Sequence, residues 1–140
     1  MAGPLAVETI VQKAGMDCGV AALAMYLTIP YRMVSDAAMK IVPDFIQGGL
    51  TRSEMEKIGS ELGYDLRRTR KFSLKDDDGV LFMQHRRAYH WVTLFNGSIL
   101  NPSEGLVWVP EAYMDKTHYR PVTLVKLASD TDEIDNSIHV

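Results

Sequence analysis

Cys18 is the one cysteine of the chain, and it stands where a nucleophile would be useful. The segment 12–27 reads QKAGMDCGVAALAMYL. Asp17 and Cys18 open a run of small and apolar residues, from Val20 to Leu27, that reads as a buried helix with Asp17 as its N-cap. A cysteine in a first helical turn meets free backbone N–H groups and the positive end of the helix dipole, both of which favour the thiolate. Gly19 leaves room beside the sulfur for a substrate backbone. Gln12, a short loop upstream, carries an amide that can donate to the oxyanion formed when a thiolate attacks a carbonyl.

The second group of residues lies in HWVTLFNGSILNPSEG, from His90 to Gly105. Asn96-Gly97 between apolar runs is the signature of a two-residue hairpin turn. That turn pairs Phe95 with Ser98, Leu94 with Ile99, Thr93 with Leu100 and Val92 with Asn101. Strand side chains alternate, so His90, Val92 and Leu94 share a face with Ile99 and Asn101. His90 and Asn101 become diagonal neighbours, roughly 7–8 Å apart at the backbone, within reach of two medium side chains. An amide beside an imidazole is the second half of a catalytic triad. The apolar residues of that face are expected to pack on the Cys18 helix.

The chain order Gln12, Cys18, His90, Asn101 resembles the papain-like superfamily. The match is nearest to the bacteriocin-processing peptidases that cut after double-glycine leaders. Gln12, Asp17, Cys18, Gly19 and the run Ala22-Leu23-Ala24-Met25 fit that family's cysteine block. GGLTRSEMEKIGSELGY resembles the helix that supports the cleft, HWVTLF the histidine strand, and Asn101-Pro102 falls where the family has Asp-Pro. The resemblance covers roughly residues 8–110. It implies a papain-like fold, a Cys18–His90–Asn101 triad with Gln12 in the oxyanion hole, and a peptide or protein as substrate. Asp17, Gly19 and Trp91 are then the candidates for substrate contact. Two departures stand out. Asn101 is neutral where the family has a carboxylate, and no transporter membrane segment follows.

The elements that must position these residues are legible from period and punctuation. Helices are expected over 17–27 and 31–40, with a third opening at Thr51, where Thr51 and Glu54 have capping-box spacing and Gly63 is the C′ residue. Short strands are expected at 64–69, 80–84, 89–95, 98–100, 106–109 and 121–127. Helices first and strands later give an α+β fold, with helices packed on an antiparallel sheet. The 140 residues suit one domain, over 1–128, with 129–140 a polar, acidic tail.

Composition excludes some functions. The net charge of −3 offers no overall attraction to nucleic acid. No apolar run approaches the roughly 20 residues that span a bilayer, and the N-terminus lacks the basic start of a signal peptide. A single cysteine permits no intramolecular disulfide, which points to a reducing, cytoplasmic setting. The thioester chemistry needs no cofactor, and no paired Cys or His at ligand spacing suggests a metal. His85, His118 and His139 have no hairpin-placed amide partner. The blocks Arg67, Arg68, Arg70, Lys71 and Asp76 to Asp78 read as solvated surface. Trp91 and Trp108 both suit a core. Two other readings stay open: a silent binding module on the same fold, and a transpeptidase or acyltransferase using the same residues.

Overall fold

The computed structural model describes residues 17–128. Gln12 and the segment 129–140 therefore lie outside the described residues. The chain runs α1 (Cys18–Leu27), α2 (Tyr31–Ile41), α3 (Phe45–Gly48), α4 (Arg52–Glu61), β1 (Leu66–Thr69), β2 (Gly79–His85), β3 (Ala88–Phe95), β4 (Ser98–Asn101), β5 (Leu106–Trp108), α5 (Pro110–Thr117) and β6 (Arg120–Leu127). The six strands form one antiparallel sheet in the order β1-β6-β2-β3-β4-β5. This is the expected α+β layout. Among the described residues no helix is long and apolar enough to cross a membrane.

Both faces of the sheet are covered, which explains why β2 is apolar without a break: Val80, Leu81, Phe82 and Met83 are all buried. On one face Val80, Phe82, Trp91 and Val125 meet Val20 and Leu23 of α1, Val34 of α2 and Met55 and Ile58 of α4. On the other, Leu81, Met83, Val92, Leu94, Ile99 and Leu124 enclose Tyr113 of α5. The face shared by Val92, Leu94 and Ile99 is thus the one turned away from α1, against expectation. Pleat alternation tells which residues share a face but not which layer covers it. With two layers available, that choice was open.

Local chemistry sets the helix boundaries. Thr51 Oγ1 accepts from the Glu54 backbone N–H, and a Glu54 carboxylate oxygen accepts from the Thr51 N–H at 2.8 Å, completing the capping box. Gly63 follows α4 at φ 90°, where a side chain would be strained. Asn96 and Gly97 both have positive φ, as the primed hairpin turn requires, and the ladder reads Phe95 with Ser98, Leu94 with Ile99 and Thr93 with Leu100. The short α3 and the whole of α5 were not expected. Pro110 opens α5 at its first helical position, where its missing N–H costs nothing.

Candidate active site

α1 begins at Cys18 and is buried nearly all round. One side-chain bond ties α1 to β3, and a second ties β3 to the loop before α4. Thr93 Oγ1 donates to the Ala22 carbonyl at 2.7 Å, and Trp91 Nε1 donates to the Leu50 carbonyl at 3.0 Å. Both bonds are buried, where an unpaired group would cost about 1–3 kcal/mol. The Thr93 bond holds α1 against the strand that carries His90.

The thiol of Cys18 is 7 % exposed. Burial pushes its pKa up, and the backbone N–H groups of Trp91, Gly19 and Cys18 itself work against that rise. Burial outweighs the helix start, so the resting sulfur is a protonated thiol rather than the expected thiolate. The Trp91 amide reaches the sulfur from the residue next to His90. Cys18 packs in the layer of α1, and Tyr113 belongs to the layer on the opposite face of the sheet.

His90 lies beside Asn101 across the β3–β4 hairpin. Its Nε2 is 2.7 Å from Asn101 Oδ1. Which atom carries the hydrogen follows from the surrounding bonds. Asn101 Nδ2 donates to Glu104 Oε1 at 2.9 Å, and the Ser103 backbone N–H donates to Asn101 Oδ1 at 3.3 Å. A carboxylate only accepts, so the NH₂ of Asn101 faces Glu104 and its oxygen faces His90. Nε2 therefore carries the hydrogen, and Nδ1 keeps the lone pair. That is the tautomer a base needs if Nδ1 is to take the thiol proton. Trp108 Nε1 also donates to Glu104 Oε1, at 2.6 Å, and holds the carboxylate in place.

Burial lowers the His90 pKa; the Asn101 hydrogen bond and the Glu104 charge oppose it. The hydrogen bonds from Asn101 and Trp108 hold the Glu104 carboxyl below its usual range, so it is ionised near neutrality. The ring of Tyr119 lies 5.9 Å from that of His90, at 31°. Ser103 Oγ is 3.3 Å from His90 Nε2. The loop from Asn101 to Gly105 closes on itself through Gly105 N–H to Asn101 carbonyl, 2.8 Å, with Gly105 at φ 69°.

The residues expected to contact substrate occupy other places. The Trp91 ring is fully buried and packs edge-on against Phe82 at 5.0 Å, so it serves the core. A Cβ on Gly19 would meet Trp91 Cδ1 and Met55 Cε at 3.0 Å and Leu50 Cδ1 at 3.1 Å. Glycine there lets α1 approach the core, and does not open space for substrate. Asp17 is fully buried, accepts from the Tyr31 hydroxyl and makes no side-chain cap. Glu104, Ser103 and Tyr119 carry no motif in the sequence, and Trp108, which suits a core, is half-buried and donates to Glu104. A carboxylate three residues after Asn101, in a segment ending in glycine, was the one available signal.

Among the described residues no cluster of three His, Cys, Asp or Glu is placed to hold a metal ion. Neither a protein-family model nor a characterised protein matches the sequence.

Proposed function

We propose that the chain is a cysteine peptidase of papain-like architecture, acting through a thioester on Cys18. The observation that carries this reading is the 2.7 Å contact between His90 Nε2 and Asn101 Oδ1, oriented so that Nδ1 holds the lone pair. The neighbouring Trp91 amide lies against the thiol at the start of a buried helix. In this reading Cys18 at the start of α1 supplies the nucleophile, and His90 with Asn101 on the β3–β4 hairpin supplies the base and its orienting group.

In the reaction, the Sγ–H proton passes to Nδ1 of His90 as sulfur attacks the peptide carbonyl. The carbonyl π electrons move to oxygen, and that oxyanion is received by the Cys18 backbone N–H and the Gln12 amide. Collapse breaks the C–N bond, and the proton on Nδ1 leaves with the amine. Water then adds to the thioester, losing a proton to His90. The C–S bond breaks, a carboxylic acid departs and the thiol is restored. Because both groups rest neutral, proton transfer accompanies attack instead of preceding it.

The test is capture of the acyl-enzyme. Incubation with a peptide library should yield an intact-mass adduct on Cys18, absent in Cys18→Ala and lost on treatment with hydroxylamine. A second reading, a silent binding module on the same architecture, draws on the burial of the thiol. Slow, unselective labelling of Cys18 by electrophiles with no turnover would favour it.

A further inference from the structure

Away from the sulfur, three arginines converge on one cavity. Arg52, Arg68 and Arg70, with Thr69 and Thr123, line a space of about 290 Å³. No carboxylate is among the lining residues, although the chain as a whole carries a net charge of −3. Guanidinium groups stay charged at any ordinary pH, so the cavity concentrates positive charge.

Two of the arginines are held in place. Arg52 donates from Nη1 to Thr123 Oγ1 at 3.1 Å, and its guanidinium lies 4.7 Å over the Phe82 ring. Arg68 uses only Nε, at 3.2 Å, on Glu56, which also accepts the Arg68 backbone N–H. Neither Nη of Arg68 has a hydrogen-bond partner among the described residues. Arg52 and Arg70 form no ion pair among the described residues. Forked guanidinium donors with N–H groups to spare are what binds an oxyanion bidentately.

The cavity is joined to Cys18 by packing. The Phe82 ring under Arg52 meets Trp91, and Trp91 packs against the space beside Gly19. Leu50, two residues before Arg52, also borders Gly19 and accepts the Trp91 hydrogen bond. The chain from Leu50 to Arg52 thus runs from beside the nucleophile to the cavity.

We propose that this cavity is an oxyanion site, taking a carboxylate or phosphate group carried by the peptide that reaches Cys18. The link to Cys18 rests on the peptidase reading; the anion site itself does not. Substrate selection would then read an acidic or phosphorylated residue at a distance from the bond that is cut.

The experiment is an NMR titration of the full chain, following arginine Nε–Hε signals. The probes are inorganic phosphate, the blocked tripeptide Ac-Gly-Glu-Gly-amide and its glutamine counterpart. Saturable shifts at Arg52, Arg68 and Arg70 with phosphate or the glutamate peptide, and none with glutamine, support the site. A response to phosphate alone identifies phosphate as the group; a response to the glutamate peptide identifies a carboxylate. Arg70→Gln, at an exposed position, should weaken binding about tenfold, the size of one lost charge-assisted bond. Cys18→Ala should bind unchanged. Unshifted arginine signals, or equal affinity in Arg70→Gln and Arg52→Lys, overturn the proposal. Anion binding by a protein whose Cys18 forms no acyl-enzyme would keep the site and remove the peptidase reading.

Discussion

The carboxylate of Glu104 lies 2.9 Å from Nδ2 of Asn101, and that bond decides which way the Asn101 amide faces. It places the amide oxygen on His90 and sets the imidazole tautomer. A neutral asparagine thereby works with a full negative charge one bond behind it.

Glu104→Gln is accordingly expected to lower turnover by about 10–100-fold, the usual range for a group that orients a functional side chain from behind. The same change should lower the His90 pKa, since the Glu104 charge raises it in the native protein. Histidine titration by NMR reads this directly, and an unmoved His90 would assign Glu104 to loop structure alone.

His90→Ala is expected to reduce turnover by about 10²–10⁴-fold, the worth of a general base. Asn101→Ala should fall between that loss and the native rate. Single-turnover kinetics separates the two variants from a defect in product release. Equal rates in His90→Ala and the native protein would exclude His90 as the base.

Stability is expected to peak between about pH 6.5 and 8.5. Native His90 has a lowered pKa, so the unfolded chain binds protons first as pH falls. Its contribution is present above the unfolded value of about 6.5 and is lost as pH drops through the folded value. Native Cys18 has a raised pKa, so its contribution is present below about 8.5 and is lost as pH climbs through the folded value. Thermal melts across pH should show both limbs. His90→Gln should flatten the acid limb, and Cys18→Ala should move the alkaline onset upward.

Trp91→Phe is expected to cost about 1–3 kcal/mol of stability, because the carbonyl of buried Leu50 loses its indole donor. Denaturant melts measure this. A large change in KM with native stability would instead return the Trp91 ring to the substrate surface.

The parts of the site written in local sequence were readable. Asn96-Gly97 and the period of two suffice for the register that brings His90 to Asn101, and Thr51 with Glu54 suffices for the start of α4. What escaped depends on distant packing. Cys18 is buried in a cluster with Leu50, Met55 and Trp91, none of which is near it in sequence. The covering of Val92 and Leu94 by Tyr113 depends on α5, a short helix with few apolar residues. Glu104 was hidden because a turn, not a strand, returns it to Asn101. The resemblance to papain-like peptidases bears on chemistry, and the structure itself establishes the coarser α+β architecture.

The strand order has a consequence for how the chain is made. β6 comes last of the described strands in chain order, yet it sits between β1 and β2. A ribosome-bound chain that has emitted only the first five strands therefore exposes two bare edges, one on each side of the gap. Such edges invite pairing with other nascent chains. The hairpin that holds His90 and Asn101 can form early from neighbouring residues, while β1 joins the sheet only when Arg120–Leu127 arrives. Pairing with other chains is therefore expected to be easiest before Arg120–Leu127 has emerged.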